Sequence, residues 1–441
     1  MDIGAEMAVG FLRDLIRFDT TNPPGAELLA AQYVGDVLRR EGFDPVVLES
    51  APGRGNVIAR FRGDGSAGAL LLMSHLDVVP ADPDEWDHSP FAADKADGYI
   101  WGRGAVDTKQ LTAMQLALLI TLKRENVSLK RDIVFAATAD EEVGGALGMG
   151  WLIQNHPDWV DCEYAINEGG GFGVDVGGRR LYVCQTGEKG VCWIKLTANG
   201  TPGHGSIPRA DNAVAKLCQA VARLSRARLP QHRTVTVEHM VRALAAAQKG
   251  VASFVLPLVL NPVLEGVILS RMEGQTEFAA VLRACLHNTV SPTVLRAGQK
   301  SNVIPSEAVA HVDGRLLPSQ RTEDLLREIQ PYLGDGIEVE LLQSSTPYES
   351  EHDSPLFALF QEVLAEHDPG CGVVPFLVPG STDGRFLAAK GVRVYGFSPF
   401  KHEPGMSMLE LAHARNERIS LANVEFGTNV LYDVVRRFCA R

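Results

Sequence analysis

Leu70-Leu71-Leu72-Met73-Ser74-His75-Leu76-Asp77-Val78-Val79-Pro80 is the stretch that decides how the rest of this chain is interpreted. The apolar run at its start predicts a short buried strand. His75 and Asp77 follow at the strand's carboxyl end, where open α/β sheets build their sites. Because residues two apart on extended backbone point the same way, Asp77 can reach the imidazole of His75 and fix its tautomer for metal binding. Alone, the pair fits a structural histidine with a capping aspartate equally well.

Composition bounds the class of protein. The chain has 441 residues, 45% of them hydrophobic, which is enough for a large core and predicts two domains. Its 42 basic and 54 acidic residues give a net charge of −12. No basic face for phosphate is visible, so we expect no nucleic-acid partner.

Cysteine usage and hydropathy indicate a soluble protein in a reducing cytoplasm. The seven cysteines are an odd number without C-x-x-C spacing, which argues against a thiolate zinc site or a disulfide framework. The first residues lack the pattern of a signal peptide. The most apolar window, 252–269, is interrupted by Pro257, Asn261, Pro262 and Glu265, so we expect no membrane span and no membrane partner.

The first part of the chain alternates helical and strand-like patterns. Helices are predicted at 5–18, 27–40 and 110–123, and strands at 56–62, 70–74 and 133–138. This alternation predicts an α/β catalytic domain with a mixed central sheet flanked by helices, built from residues 1–188 and 345–441. A final helix is predicted at 422–438.

Between these parts we predict an inserted, smaller α+β domain at 189–344, of ferredoxin-like type. It follows a β-α-β-α-β pattern, with strands at 191–198, 309–315 and 337–342 and helices at 212–225 and 323–332. A further insertion at about 231–298 is apolar, rich in Ala and Leu and hard to assign. The glycine cluster 169–178 lacks the G-x-G-x-x-G frame of a dinucleotide site, and we interpret it as backbone that passes close to a crowded site.

Acidic and imidazole side chains recur where predicted strands end or helices begin. They are Asp107 in G-R-G-A-V-D-T-K, Glu141 and Glu142 in D-E-E-V-G-G, Glu168 in N-E-G-G and His413 in A-H-A-R-N-E. Each alone has a purely structural explanation, such as a helix cap for Asp107 or a solvated loop for the adjacent acids. Together, His75, His413 and these carboxylates at the edges of one α/β unit indicate a two-metal hydrolytic site.

In order and spacing these motifs, with S-H-L-D-V-V-P, resemble those of the M20 metallopeptidase and amidohydrolase family over nearly the whole chain. The resemblance implies that His75, Asp107 and Glu168 bind one zinc ion, and that Asp107, Glu142 and His413 bind the other. Asp107 would bridge the two ions. Asp77 would orient His75, and Glu141 would serve as the general base. Each triad would also accept Co²⁺ or Mn²⁺. His402 lacks the surrounding motif and is not predicted as a ligand.

Further residues are implied in substrate binding. His204, in T-P-G-H-G-S, resembles a histidine that stabilises the oxyanion, often from the partner subunit of a dimer, so a homodimer is expected. Arg315 and Asn302 resemble residues that bind the substrate's terminal carboxylate, for which a planar guanidinium is suited. Thr382 lies in another predicted pocket loop. A surface role for His204 and an ion pair for Arg315 are the alternatives.

The resemblance implies a metal-dependent hydrolase that cleaves an amide, peptide or N-acyl bond next to a free carboxylate. Carboxypeptidase, dipeptidase and aminoacylase activities all remain open, as does a biosynthetic N-deacylase of the acetylornithine or succinyl-diaminopimelate type. A non-catalytic binding protein on the same scaffold is the alternative from another class. The apolar insertion favours a hydrophobic acyl group if it shapes the pocket, although it can equally form a lid or a dimer contact.

Overall fold

The stretch 70–80 begins with a strand in the middle of the ten-stranded sheet. A computed structural model describes residues 3–272, 277–401, 403 and 411–441. In it the strand Leu70–His75 is buried throughout and runs parallel to both of its neighbours, Ile133–Thr138 and Tyr164–Asn167. The sheet is mixed, because Arg54–Phe61 adds antiparallel to Ile133–Thr138 at one side and Arg393–Gly396 adds parallel to Tyr164–Asn167 at the other. This arrangement confirms the predicted mixed sheet.

The described residues form two compact units. The first lies within Met1–Thr186, Ser350–Phe376 and Thr382–Arg441, and the second within Gly187–Glu349 and Leu377–Ser381. Helices of the first unit are Ile3–Ile16, Leu28–Arg40, Lys109–Arg124, Met149–Asn155, Pro355–His367, Gly384–Ala388 and Leu421–Cys439. Its remaining strands are Val46–Ala51, Asp94–Ala96, Tyr99–Trp101, Phe172–Val176, Arg179–Glu188, Gly372–Val378 and Arg418–Ser420, of which Arg179–Glu188 and Gly372–Val378 end within the second unit.

Helix Lys109–Arg124 lies at the centre of the packing of the first unit. Nearly every residue of this helix is buried, because it contacts the strand Leu70–His75 and the helices Ile3–Ile16 and Leu421–Cys439. Its polar residues Gln110, Thr112 and Gln115 are buried together with the apolar ones, so the helix lies inside the core on nearly all sides. The residues just before it, including Asp107, are thereby held at a fixed place beside the sheet.

The second unit contains an antiparallel sheet of four strands in the order Thr289–Ala297, Glu307–Leu316, Gly190–Asn199 and Ile337–Ser344. Helices Ala213–Leu224 and Thr322–Leu333 pack on one face and bury Ile194, Leu217 and Ile329. Along the chain these elements follow a β-α-β-β-α-β order, which is the ferredoxin-like topology. The role of this unit as a lid or dimer contact remains a prediction.

The segment 231–298 is mostly helical but ends in a strand of that sheet. Its helices are Val235–Ala247, Val251–Val255, Glu265–Met272 and Glu277–Leu286, and a 3-10 turn covers Leu256–Leu260. The strand Thr289–Ala297 was not predicted, because Pro292 and Arg296 interrupt its apolar alternation. Short strands Gly203–His204, Val303–Ile304 and Tyr348–Glu349 complete the unit. In the described part of the chain, no helix has the length and hydropathy needed to cross a membrane.

Candidate metal centre

Strand register places the predicted ligands at one edge of the sheet. His75 ends its strand opposite Thr138, so the turn that carries Glu141 and Glu142 begins next to the imidazole. Glu168 follows the strand on the other side of His75. These side chains meet in two overlapping groups able to hold a metal, one of His75, Asp107 and Glu142 and one of His75, Glu141 and Glu168.

Each histidine faces two carboxylates through one ring nitrogen. His75 Nε2 lies 3.2 Å from Asp107 Oδ1 and 3.5 Å from Glu168 Oε1. His413 Nε2 lies 3.1 Å from Asp107 Oδ2 and 3.1 Å from Glu142 Oε2. The two oxygens of Asp107 are thus divided between the two histidines, which is the arrangement of a bridging carboxylate.

These distances fit a pair of divalent ions. Donor atoms at ~2.0–2.1 Å from a tetrahedral zinc lie about 3.3 Å from one another, close to the separations around each histidine. Glu142 Oε1 is buried and has no hydrogen-bond partner among the described residues, as expected of an oxygen that serves a cation. Imidazole and carboxylate donors suit zinc, cobalt and manganese.

The electrostatics of the cluster also favour cations. Hydrogen bonds with Asp107 and Glu142 raise the pKa of His413 to about 10. Burial alone would lower the pKa of His75, but the charge of Glu168 and the hydrogen bond with Asp107 raise it well above its usual value. Burial, and then the charge of Glu168, raises the pKa of Glu141. The carboxylates therefore concentrate negative charge in a buried site, which favours the binding of cations there.

Asp77 fixes both His75 and the acidic turn. Its backbone carbonyl lies 3.0 Å from His75 Nδ1 and its Oδ1 lies 3.4 Å from the same nitrogen. The Asp77 carboxylate also accepts hydrogen bonds from the backbone N–H groups of Glu141 and Glu142, at 3.1 Å each, and from Asn22 Nδ2 at 2.8 Å. It therefore sets the position of two carboxylates besides orienting the imidazole.

Glu417 fixes the position of the loop that carries Asp107 in a similar way. It is fully buried, and its Oε1 accepts hydrogen bonds from the backbone N–H groups of Val106 at 2.7 Å and Asp107 at 3.0 Å. Its Oε2 accepts from the N–H of Gly104 at 3.1 Å and pairs with Arg103 at 2.7 Å. Burial raises the pKa of Glu417 to about 7.

A third buried network supports the acidic turn. Asp140 adopts a positive φ of 75°, an uncommon conformation for a residue with a side chain. Its carboxylate pairs with Arg54 Nη2 at 2.8 Å and accepts the N–H of Leu147 at 2.9 Å. Arg54 in turn pairs with Glu27 at 2.8 Å. These contacts hold the turn in the shape that directs Glu141 and Glu142 toward the centre.

The loop that contains Thr382, which was predicted to line the pocket, also lies beside the centre. Thr382 Oγ1 accepts a hydrogen bond from Asn167 Nδ2 at 2.9 Å, next to Glu168. Asp383 is buried, and burial raises its pKa to about 7. It accepts a hydrogen bond from Thr138 Oγ1 at 3.3 Å, whereas its Oδ1 has no partner among the described residues.

The sequence did not single out Asp383, Glu417 or Arg54. Glu417 ends the motif A-H-A-R-N-E, four residues after His413, and Asp383 directly follows Thr382. Their burial was the missing signal, because an acid that supports a ligand and an acid in a solvated loop look alike in one sequence.

The remaining predicted residues lie in the second unit. His204 is exposed, and its Nδ1 lies 2.7 Å from Ser206 Oγ. Asn302 is beside it, because its carbonyl accepts the N–H of Gly205 at 2.8 Å. Arg315 forms a bidentate pair with Asp313, at 2.7 and 3.0 Å. Their roles toward substrate remain predictions. His402 lies outside the described residues.

Comparison with known proteins agrees with the chemistry of this donor set. The family model described as peptidase family M20/M25/M40 matches residues 71–437. The chain belongs to this M20 family. N-fatty-acyl-amino acid synthase/hydrolase PM20D1 of Xenopus tropicalis is 31% identical over 379 residues, which cover 83% of this chain and 72% of that protein. Aminoacylase-1 of Sus scrofa is 28% identical over 426 residues, covering 94% and 91%.

Solved M20 structures share the fold. The M20 family metallo-carboxypeptidase Sso-CP2 from Sulfolobus solfataricus superposes with a TM-score of 0.73, covering 99% of each chain, at 18% sequence identity. At that identity the likeness concerns the fold. The family assignment confirms the resemblance found in the motifs, and it makes this chain an M20 hydrolase.

Proposed function

We propose that this chain is a dimetal amidohydrolase that cleaves the amide bond of N-acyl amino acids, next to the free carboxylate. The observation that carries the proposal is the division of Asp107 between His75 and His413, each completed by a further carboxylate. Relatives whose names specify aminoacylase or N-fatty-acyl-amino acid hydrolase cover most of the chain, which favours an N-acyl amino acid over a peptide.

His75, Asp107 and Glu168 would hold one ion, and Asp107, Glu142 and His413 the other, with zinc as the proposed metal. Such a pair supplies Lewis acidity for the amide carbonyl and lowers the pKa of a water molecule toward about 7. Asp107, Glu142 and Glu168 contribute three negative charges, which suits a site for two divalent ions.

Glu141 would move the proton in this reaction. Its carboxylate reaches the same space as the ligand atoms of His75 and Glu168. It would accept a proton from the attacking water as the C–O bond forms, and donate that proton to the leaving nitrogen as the C–N bond breaks. The products are a carboxylic acid and a free amino acid, so the proton and atoms balance. Asp77 would keep Glu141 in place through its backbone N–H.

Arg315 and Asn302 are the proposed contacts for the substrate carboxylate. Asp313 occupies the Nε and Nη2 edge of the guanidinium, which leaves the Nη1 edge for an anion. His204 is proposed to donate to the oxyanion from the partner subunit of a homodimer, and its exposure in the single chain suits that role.

The test is hydrolysis of a panel containing N-acetyl, N-octanoyl and N-oleoyl amino acids, acetylornithine, succinyl-diaminopimelate and dipeptides. Activity on N-acyl amino acids should disappear with a chelator and return with zinc. Glu141→Gln should lower kcat by at least about a hundredfold. The matched variant Glu85→Gln, at an exposed acid, should keep full activity.

A metal-loaded protein that hydrolyses none of these compounds would contradict the proposal. Preference for a dipeptide, acetylornithine or succinyl-diaminopimelate would replace the proposed substrate class but keep the mechanism. Unchanged turnover in Glu141→Gln would remove the proposed general base.

A further inference from the structure

The second unit carries an unusual apolar surface within the segment 231–298. Among the described residues, the three most exposed large apolar side chains are Val263 at 82%, Phe254 at 78% and Val251 at 77%. All three fall within 13 residues of one another in the chain. Clustered exposure of this kind marks a surface that binds something, whereas single exposed apolar residues need no explanation.

The spacing of these residues places most of them on one helical face. Residues 251–260 form a helix that tightens into a 3-10 turn, and Leu256, Val259 and Leu260 are buried against the neighbouring helices. The opposite face carries apolar residues at helical spacing and is exposed. We define the apolar patch as this face with its extension on the next helix: Val251, Phe254, Val255, Leu258, Val263 and Val267.

Hydrogen bonds attach the patch to the rest of the second unit. Gln231 Nε2 donates to the carbonyl of Val259 at 2.9 Å and to Glu265 Oε2 at 3.0 Å. Buried Glu265 also pairs with His287 Nε2 at 2.6 Å. These hydrogen bonds tie both ends of the turn to the rest of the second unit. The exposed apolar face is therefore an ordered part of the fold.

An exposed basic residue stands near each end of the apolar patch. Residues 249–272 contain two basic residues, Lys249 and Arg271, and both are exposed. The one acidic residue in this range, Glu265, is buried. Arg271 is one turn from Val267 on the same helix, and Lys249 directly precedes the first exposed helix. The net charge of the whole chain is −12.

We propose that the apolar patch docks onto an anionic lipid surface, with Lys249 and Arg271 facing the headgroups. An apolar helical face beside basic residues is what holds a protein in the plane of a membrane interface. A second copy of the chain fits less well, because a two-fold contact would bring the cations of both patches together.

This proposal revises the expectation of no membrane partner, which rested on the absence of a spanning segment. Peripheral docking requires no spanning helix. If the proposed function holds, the surface would also place the enzyme where long-chain N-acyl amino acids dissolve. Docking itself is measured without substrate, so its outcome is independent of catalysis.

The experiment is sedimentation of the full chain with vesicles of phosphatidylcholine, with and without phosphatidylglycerol. Binding is expected only when phosphatidylglycerol is present. The triple variant Val251→Ser, Phe254→Ser, Val263→Ser should lower the partition coefficient at least about tenfold. The double variant Lys249→Gln, Arg271→Gln should lower it about 25-fold, since each charge contributes roughly fivefold.

A matched variant, Leu295→Ser with Val339→Ser, removes exposed apolar residues from strands of the same unit and should bind vesicles like the unmodified chain. The single variant Phe254→Ser repeats the test if the triple variant unfolds.

Four results would overturn the proposal: no vesicle binding, equal binding to neutral vesicles, binding unaffected by the patch variants, or binding lost equally in the Leu295 and Val339 control. Light scattering of the same samples tests whether a second copy of the chain occupies the patch. A dimer that dissociates only in the patch variants, in a chain that does not bind vesicles, would assign the patch to a second copy.

Discussion

At the scale of single residues, buried carboxylates outside the proposed ligand set organise the centre. Asp77 binds backbone N–H groups 64 and 65 residues further along the chain, and thereby couples His75 to the turn of Glu141 and Glu142. Glu417 does the same for the loop of Asp107. Supporting groups of this kind commonly change metal affinity by about 10–100-fold when they are removed.

Replacing Glu417 by Gln should therefore weaken zinc binding by about 10–100-fold, although every ligand is still present. The amide offers a single acceptor oxygen where the carboxylate accepts from three N–H groups and pairs with Arg103. Competition with a chelating dye measures the zinc affinity.

The same change leaves Arg103 buried without its partner, which costs stability for a separate reason. The double variant Glu417→Gln, Arg103→Met removes that charge, so it should regain stability and keep the weak zinc affinity. Glu366→Gln, in an exposed pair with Arg437, is the control and should change neither. Unchanged zinc affinity in Glu417→Gln would show that the loop of Asp107 holds its shape unaided.

At the scale of elements, the glycines after Glu168 allow strands to approach closely. A Cβ at Gly170 would lie 2.5 Å from the backbone nitrogen of Gln185, and one at Gly171 would lie 2.5 Å from that of Ser398. These clearances agree with the interpretation of the glycine cluster as backbone passing a crowded site. They also keep the residue before them, Glu168, at its place beside His75.

Gly171→Ala should destabilise the chain by roughly 1–3 kcal/mol more than Gly178→Ala. Both glycines have positive φ, 91° and 82°, so both variants carry the same kind of conformational cost. They differ because an added Cβ at Gly178 meets nothing within 4 Å. Urea unfolding of the two variants side by side provides the comparison. Equal loss in both would mean that the Ser398 backbone moves aside freely.

Strongly periodic elements could be predicted from the sequence, and buried polar support could not. Strand Ile133–Thr138 has the predicted limits, and helix Lys109–Arg124 differs by one residue at each end, because continuous apolar runs bounded by polar residues identify them. Strand Thr289–Ala297 was missed, since its pairing with Glu307–Leu316 overrides a pattern containing a proline. The proposed metal ligands stand in motifs, whereas Arg54 contacts Asp140 across 86 residues, a pairing that no local pattern reveals.

At the scale of the whole molecule, metal binding should stabilise one unit more than the other. The six side chains that meet at the centre all belong to the first unit: His75, Asp107, Glu141, Glu142, Glu168 and His413. Ligand at about a thousandfold excess over its Kd adds about 4 kcal/mol to the stability of the state that binds it. Chelation should therefore lower the unfolding temperature of the first unit and leave the second unit unaffected.

Calorimetry with and without zinc tests this expectation. His413→Ala should reduce the shift, whereas His311→Ala, in a strand of the second unit, should retain it. Identical melting of the unmodified chain in zinc and in chelator would contradict the assignment of the cluster as a metal site.

The segmented course of the first unit has a consequence for biosynthesis. A ribosome releases residues in order, and the whole of Gly187–Glu349 emerges after His75, Asp107, Glu142 and Glu168 but before His413. Glu417, which holds the loop of Asp107, emerges later still. A nascent chain can therefore complete its second unit while the second cation position still lacks its imidazole. If the proposed metal centre forms, its second cation position can therefore be completed only after residue 417 has been synthesised.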